Sequence, residues 1–295
     1  MTLETQPVSC DPGDLPGLPW SILRFQQNET EQTETLVALE EPLEVIVNGQ
    51  SIAVLMRLPG SEKELAAGFV ITEGYVRHAT DILILHHCGS GHPAPGEAPD
   101  ADGDLASRNQ VSLRVLEAGF APPDRPDVVR LIRSGCGAAE VTALAETLPP
   151  LPRDLTLPAA QLPEMGHRMR DLQTVHREIG GVHAAAVFAA GAPARAIVLA
   201  EDIGRHNAMD KAIGHCLLRG LPMHDKCLIT SGRASYEMVT KAIRAGIPIV
   251  ASASAPTSLA VQLAHDRGLT LVGYLRGSRM NVYTHPDRLT GLDAS

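Results

Sequence analysis

The chain has 295 residues, of which 44% are hydrophobic and only 3% aromatic, so it can bury the core of one large or two modest domains with aliphatic side chains. Its formal net charge of −9 argues against a general nucleic-acid or anionic membrane surface, and no apolar run reaches the length of a membrane span. The N-terminus lacks the basic segment of a signal peptide and the five cysteines include no CxxC pair, so we expect a cytoplasmic protein that binds neither nucleic acid nor membrane.

The first predicted unit is a small α+β domain at residues 21–150, preceded by a flexible tail. Residues 1–20 are polar in character and contain several prolines, which favours the tail. Residues 41–56 alternate between apolar and polar side chains on both sides of Asn48-Gly49. That dipeptide between two alternating runs is the strongest short-range signal for a β-hairpin.

A helix, a loop and a further strand complete the prediction for this first domain. Residues 61–76 predict a helix, with Ser61 as its N-cap and Glu64 completing a capping box. Residues 89–104 are rich in proline, glycine and aspartate and predict a flexible surface insert. Residues 111–116 alternate as a strand does.

A proline-rich connector at residues 148–152 predicts the boundary to a second domain at residues 151–295. Predicted strands and helices alternate in this domain, with glycine at three helix exits where a left-handed residue is needed. The strands lie near 184–189, 196–200, 227–230, 247–251 and 270–274, the helices near 158–178, 205–219, 235–245 and 257–267, and the glycines at Gly220, Gly246 and Gly268. This alternation is typical of an α/β fold with crossover connections, which predicts a mainly parallel sheet with helices on both faces.

Polar turns lie at the ends of the predicted strands, where open α/β sheets bind ligands. The richest is the segment 201–211, and the others are 180–183, 231–235, 252–257 and 276–279. Small hydroxyl residues and glycine at helix N-termini expose backbone N–H groups to phosphates, and the arginines of these turns can pair with phosphates bidentately. One such turn is more simply explained as a plain helix cap, but several in one domain favour a large phosphorylated ligand.

The cysteines differ in their expected chemistry. Cys136 is flanked by glycine on both sides, and Arg133 nearby favours the thiolate, which is the form needed to carry a persulfide or an acyl group. The alternative is a small apolar loop residue. Cys216 and Cys227 fall on apolar faces and are predicted to lie in the core.

The histidines at the strand ends do not indicate a metal site. A zinc deaminase needs glutamate two residues after the histidine and a later P-C-x-x-C, whereas Ala185 follows His183 at that spacing and the cysteines are missing. We therefore expect no metal and no deamination, although the two folds can still be shared. His206 is explained equally well as a structural histidine or as a ligand contact.

Seven segments, in order along the chain, together carry a resemblance to a known family. They are residues 40–49, 64–74, 180–185, 201–211, 231–238, 252–260 and 269–289. They resemble the formate dehydrogenase accessory sulfurtransferase family (FdhD/NarQ), and the resemblance extends from about Val37 to Leu289.

The resemblance implies a cytoplasmic sulfurtransferase that takes persulfide sulfur from a cysteine desulfurase. The sulfur passes to the molybdenum bis(molybdopterin guanine dinucleotide) cofactor, bound as a substrate, before that cofactor enters the catalytic subunit of formate dehydrogenase. The resemblance also implies a homodimer and a cytidine-deaminase-like three-layer α/β/α C-terminal domain, joined to the smaller α+β N-terminal domain.

The resemblance assigns the sulfur-carrying cysteine to Cys136, within the loop at 133–140. The family has a Cys-Gly-x-Cys-Gly motif here, but in this chain Ala139 replaces the second cysteine and Glu140 the following glycine. The loss removes an intramolecular resolving step rather than the carrier. It also motivates an alternative, a non-catalytic chaperone that binds the molybdenum cofactor.

The predicted cofactor contacts come from two sources. By the resemblance, the nucleotide contacts include Tyr274, Leu275, Arg276, Gly277, Ser278 and Arg279. The polar turns add Gly181, His183, Asp202, Arg205, His206, Asn207, Ser231, Arg233, Ser254 and Thr257. A third alternative function is a nucleotide-processing enzyme that uses Asp202, His206 and Asp210.

Overall fold

A computed structural model describes residues 16–87, 109–121, 147–191 and 194–292. The first half contains β1 (Gly17–Gln26), β2 (Glu29–Ala38), β3 (Glu41–Val47), β4 (Gln50–Arg57), α1 (Glu62–Thr72), β5 (Ile82–His87) and β6 (Gln110–Val115). The second half contains β7 (Leu157–Pro158), α2 (Gln161–Leu172), α3 (Thr174–Glu178), β8 (His183–Ala189), β9 (Ala196–Asp202), α4 (Arg205–Leu218), β10 (Lys226–Thr230), α5 (Tyr236–Ala245), β11 (Ile249–Ser252), α6 (Ser258–Arg267), β12 (Thr270–Arg276), β13 (Arg279–Val282) and β14 (Leu289–Thr290). The predicted insert at 89–104 and the Cys136 loop lie outside the described residues.

The N-terminal half forms a four-stranded sheet in the order β4-β3-β6-β5, with α1 packed on one face. The predicted hairpin is confirmed as β3 and β4. Its two turn residues, Asn48 and Gly49, have φ angles of 50° and 83°, as a two-residue turn between twisted strands requires. The predicted strand near 111–116 is confirmed as β6.

The start and end of α1 differ from the prediction. Ser61 has a φ of 59° and its hydroxyl makes no capping hydrogen bond, so the predicted capping box is wrong. A capping residue is normally extended, whereas Ser61 is left-handed. The N–H of Gly60 instead donates to Oε1 of Glu62 at 2.6 Å. The helix ends at Thr72, before the predicted position, and Gly74 follows with a φ of 82°.

The long hairpin of β1 and β2 was not predicted from the sequence. β1 begins at Gly17, so the predicted tail is wrong for residues 17–20; residues 1–15 are outside the described ranges. The two strands pair over their full length, with Trp20 opposite Thr35. No described helix is long and apolar enough to cross a membrane.

The C-terminal half is built on a six-stranded sheet in the order β13-β12-β11-β10-β8-β9. β10, β11 and β12 are parallel, but β8, β9 and β13 each pair antiparallel with their neighbours. The prediction of a mainly parallel sheet is therefore wrong, because β9 follows β8, and β13 follows β12, without a helix between them. The sheet is mixed.

Helices cover both faces of this sheet, which confirms the three-layer α/β/α architecture. Side chains of α4, α5 and α6 share one core with Leu228 of β10, while α2 shares the other core with Cys227 and Ile229. Neighbouring residues of a strand point to opposite faces, so β10 contributes to both. The deaminase-like part of the prediction stays a prediction.

The structure also describes the glycines predicted at the helix exits and part of the proline-rich connector. Gly220, Gly246 and Gly268 have φ angles of 62°, 79° and 74°, which confirms the expected left-handed residues. Leu151 of the connector is buried in the core of the C-terminal sheet, and its N–H donates to the carbonyl of Arg267 at 2.8 Å. The domain boundary itself stays a prediction.

Two glycines allow α1 and α4 to cross at close range. A Cβ atom on Gly68 would lie 1.9 Å from the carbonyl oxygen of Asp210, and one on Gly214 would lie 1.9 Å from the carbonyl oxygen of Glu64. Both obstacles are backbone atoms, which move only if a helix moves. The crossing therefore fixes the N-terminal sheet against the C-terminal one.

We expect Gly68→Ala to lower the free energy of unfolding by about 1–3 kcal/mol, because overpacking outweighs the better helix propensity of alanine. Gly166→Ala in α2 is the matched control, since its Cβ would meet only side-chain atoms of Leu275, the nearest at 3.1 Å. Urea unfolding of both variants measures the difference. Equal stability of the two would show that the helices can separate without cost.

Candidate functional site

The polar turns singled out in the sequence lie at the same end of the strands of the six-stranded sheet. This end of the sheet is called the polar edge below. β8 begins there with His183, which pairs in register with Asp202 at the end of β9. β10 and β11 end at the same edge, where Thr230 pairs with Ser252, and β12 ends beside them. Because β8 and β9 are antiparallel to each other, the start of one and the end of the other meet here. The topology therefore brings all five predicted turns together.

Several hydroxyl groups of these turns bind the protein itself. Ser231 exchanges two hydrogen bonds of 2.9 Å with the backbone of Ala184 through its N–H and its Oγ. Thr257 accepts from the N–H of Ala260 at 3.4 Å as the N-cap of α6. The N–H of Ser254 donates to the side chain of Ser252 at 3.0 Å. These residues shape the edge, as ordinary capping residues do.

A group of basic side chains lies between the start of β8 and the N-termini of α4 and α5. Burial, and then the charge of Arg205 and the neighbouring His206, lower the pKa of His183, so its imidazole is neutral at pH 7. Burial, and then Arg233, lower the pKa of Arg205. The Nε of Arg205 is buried without a hydrogen-bond acceptor among the described residues. Donors gathered in this way suit an anionic group.

One carboxylate lies in this basic group. Nε2 of His206 is 3.0 Å from Oε2 of Glu237, and both side chains are largely buried. The His206 imidazole lowers the pKa of Glu237, so this carboxylate is ionised at neutral pH. Glu237 was missed in the sequence, although it lies within the segment 231–238 that carries the resemblance.

Asp202 and Asn207 have a different environment from the basic group. Asp202 is fully buried, and its oxygens accept hydrogen bonds from the backbone of Leu58 and Gly204, from Asn207 and from Lys211. Asn207 also donates to the carbonyl of Met56 at 2.7 Å. These contacts join the N-terminal sheet to the turn that begins α4. Both residues therefore stabilise the turn that begins α4 from inside the protein.

Asp210 is buried in a second network. Its carboxylate accepts from Lys241 at 2.8 Å and from the hydroxyl of Thr72 at 2.7 Å, and Lys241 also pairs with Glu73 at 2.7 Å. With both Asp202 and Asp210 enclosed by protein, neither reaches a substrate. This argues against a nucleotide-processing enzyme that uses them with His206.

A cleft of about 280 Å³ opens at the end of β12 and β13. It is lined by Tyr274, Arg276, Arg279 and Asn281. Nε of Arg276 donates to the carbonyl of Ala253 at 2.8 Å, which holds this guanidinium against the next turn of the edge. Asn281 was missed in the sequence, although it lies within the segment 269–289.

The other residues predicted at this loop do not line the cleft. Leu275 is buried in the core shared with α2. Gly277 and Ser278 form the turn between β12 and β13, where Gly277 has a φ of 58°. Gly181, with a φ of 70°, lies in the turn before β8.

The described residues hold no group of three or more metal-binding side chains, and the absence of a metal stays a prediction.

The fold and its polar edge define a mixed-sheet α/β protein with basic side chains gathered at one end of its strands. A model of the FdhD/NarQ family matches residues 38–290, and the chain belongs to this family. It is 43% identical to a sulfur carrier protein FdhD from Mycobacterium tuberculosis, with 87% of this chain and 92% of that relative covered. It is 38% identical to one from Sulfolobus acidocaldarius, with 91% and 96% covered.

A solved structure has the same fold. It is described as a formate dehydrogenase accessory protein from Desulfotalea psychrophila, and it superposes with a TM-score of 0.71 at 26% identity. The match covers 92% of this chain and 99% of that one. The α/β architecture with its additional N-terminal unit is therefore shared along nearly the whole length.

Proposed function

We propose that this protein is a sulfur carrier for formate dehydrogenase maturation, with Cys136 as the carrier. The single observation that supports this most strongly is the family match over residues 38–290, with full-length relatives named sulfur carrier proteins. In the proposed reaction a cytoplasmic cysteine desulfurase supplies persulfide sulfur. The protein passes it to the molybdenum bis(molybdopterin guanine dinucleotide) cofactor before that cofactor enters the catalytic subunit.

Two other cysteines are buried and unsuited to carry sulfur, which supports Cys136 as the carrier. Cys216 and Cys227 are both buried, and burial raises the pKa of each thiol to about 12. A carrier must form a thiolate that attacks the outer sulfur of the donor persulfide, so neither residue is suited to this chemistry. Cys136, flanked by glycine and near Arg133 in the sequence, has the features that a carrier needs.

The absence of a second cysteine in the loop sets how sulfur leaves. With Ala139 at that position, the persulfide on Cys136 has no neighbouring thiol in its motif to displace the outer sulfur. Release then depends on attack by an external acceptor. We infer that sulfur stays on Cys136 until the cofactor is bound.

The polar edge is the proposed binding site of that cofactor. Its residues fit a ligand with phosphates and nucleotide ends. The buried Nε of Arg205 has no acceptor within the part of the chain that the structure describes, and Arg276 is held by a backbone carbonyl. Arg233 and Arg279 add further cationic donors. A homodimer, implied by the resemblance, is part of the proposal.

We expect Cys136→Ser to abolish formate dehydrogenase maturation while leaving nucleotide binding intact. The test is formate dehydrogenase activity in a strain that lacks its own copy of this protein, complemented with each variant. Cys216→Ala, which alters a buried thiol, is the matched control and should restore activity.

The chaperone alternative is supported by Ala139 and makes the opposite prediction. Under it, Cys136→Ser restores activity, and Arg276→Ala does not. Loss of activity in both variants favours a carrier that must also bind the cofactor. Full activity in both would contradict the two functions together.

A further inference from the structure

We propose that the β1–β2 hairpin is the docking surface for the protein that receives the cofactor, a partner with an apolar groove bordered by cationic side chains. This inference rests on the delivery step of the proposed function and adds the element of this chain that binds the acceptor.

The β1–β2 hairpin carries the most exposed apolar side chains of the described residues. Its strands form a two-stranded sheet of their own, outside the two larger sheets. Leu23, Phe25 and Trp20 are 73%, 70% and 64% exposed, more than any other large apolar side chain among the described residues. Because neighbouring residues of a strand point to opposite faces, Trp20 lies on one face and Leu23 and Phe25 lie on the other. A two-stranded hairpin is marginally stable by itself in water, so apolar side chains on both faces indicate an element that another protein covers.

The size of the hairpin suits a protein partner rather than a small ligand. Each strand has ten residues, so the hairpin is about 33 Å long at about 3.3 Å per residue. Its strand residues match one side of a protein–protein interface of ordinary size, which has about 20–30 residues. Trp20 and Phe25 are of the residue types enriched in such interfaces.

The charges of the hairpin favour a cationic partner. β2 carries three exposed carboxylates, Glu29, Glu31 and Glu34, whereas Arg24 of β1 is the one basic residue within 17–38. Arg24 pairs in register with Glu31, so the other two carboxylates have no basic residue opposite them on β1. A second copy of this chain is a poor fit, because its formal net charge is also −9 and two such hairpins would bring carboxylates together.

The acceptor of the cofactor has the charge that complements this surface. It must attract a ligand with phosphates, and a cleft lined by positive charge raises the local concentration of such a ligand. The rim of that cleft therefore complements the carboxylates of β2, while β1 supplies the apolar contact.

The base of the hairpin lies beside the polar edge. Ala38, at the end of β2, packs against a small core that includes Val182, and Ile203 packs against the same core. Val182 and Ile203 belong to the turns at 180–183 and 201–211, which form part of the polar edge. An acceptor bound to the hairpin is therefore held next to the proposed cofactor site.

The test is binding of the full-length protein to the cofactor-free catalytic subunit of formate dehydrogenase, measured by biolayer interferometry. Trp20→Thr/Phe25→Thr removes an aromatic ring from each face and keeps a residue type that suits a strand. It should weaken binding by about tenfold or more, because buried aromatic residues dominate the energy of such contacts. Leu83→Thr/Ile84→Thr is the matched control in β5, where these side chains are 59% and 56% exposed, and it should bind as the wild type does.

Charge reversal on β2 is a second test that leaves the apolar side chains in place. Glu29→Lys/Glu34→Lys should slow association with the acceptor by about tenfold at low salt, and the difference from the wild type should shrink as salt is added. Glu117→Lys/Glu164→Lys makes the same change of charge at exposed positions outside the hairpin and should have a smaller effect.

The outcomes separate the docking surface from the function on which it rests. Sulfur loading from the cysteine desulfurase, nucleotide binding and oligomeric state should be the same in the wild type and all four variants. If the wild type does not bind the acceptor, the delivery step and the docking surface are both contradicted. If the wild type binds and the two hairpin variants bind equally well, only the docking surface is contradicted. Hairpin variants that keep acceptor binding but lose sulfur loading, or that change oligomeric state, would contradict it as well and assign the hairpin to the desulfurase or to a second copy.

Discussion

Replacing Lys241 with methionine should lower the free energy of unfolding by about 3–5 kcal/mol at pH 7. The side chain of Lys241 is 2% exposed, and its ammonium lies 2.8 Å from Asp210 and 2.7 Å from Glu73. Asp210 is equally enclosed, so the variant leaves a buried carboxylate whose remaining side-chain partner, among the described residues, is the hydroxyl of Thr72. Urea unfolding measures the loss.

The pH dependence of that loss identifies its cause. Burial raises the pKa of Asp210, and the Lys241 ammonium opposes the rise. Without the ammonium the folded pKa rises further above the unfolded value, so between these two pKa values the folded state holds a proton that the unfolded chain lacks. The deficit of the variant should therefore shrink as the pH falls from 7 towards about 4, the ordinary pKa of aspartate.

The double variant Asp210→Asn/Lys241→Met is the control, because it removes both charges. It should be more stable than Lys241→Met alone at pH 7. A single variant that loses less than about 1 kcal/mol, or whose loss does not change with pH, would show that the pair contributes little.

Asp202→Asn should also lower the free energy of unfolding by about 3–5 kcal/mol, because it removes the carboxylate that pairs with the buried Lys211 ammonium. Lys211 lies 2.8 Å from Asp202 and is 96% buried. The new amide group also faces a donor, since both carboxylate oxygens accept hydrogen bonds: Leu58 and Lys211 bind one, and Gly204 and Asn207 bind the other.

The neighbouring Glu201→Gln is a matched control for Asp202→Asn. Glu201 is only partly buried, and it accepts hydrogen bonds from the N–H groups of Val175 and His176 at 2.9 and 2.8 Å. Glutamine keeps one acceptor oxygen, so the loss should stay near 1 kcal/mol or below. Thermal or urea unfolding compares the two variants, and a similar loss in both would contradict the role assigned to the Asp202–Lys211 pair.

Local signals predicted much of this fold. Asn48-Gly49 identified its hairpin because those two residues accept the left-handed turn on their own. Ser61 misled because the Ser-x-x-Glu spacing does not report the backbone conformation of the serine, which is left-handed here. The mixed sheet was missed because strand direction depends on which strands become neighbours, as with β8 between β9 and β10.

The polar edge was predictable as a group but not residue by residue. The segment 201–211 concentrates polar side chains, and the structure places its turn at the sheet edge as expected. The same segment also supplies Asp202, Asn207 and Lys211 to a buried network with the N-terminal half, which a sequence pattern does not distinguish from a ligand site. Asn281 was missed because its place in the same cleft as Tyr274 depends on the register of β12 and β13.

Intact mass spectrometry after incubation with a cysteine desulfurase and cysteine tests the central claim most directly. The account predicts that the wild type and the Cys216→Ala/Cys227→Ala variant each gain one sulfur atom, and that Cys136→Ser gains none. A wild type that gains no sulfur while it still binds GDP, or a Cys136→Ser variant that gains as much as the wild type, would contradict the assignment of Cys136 as the carrier.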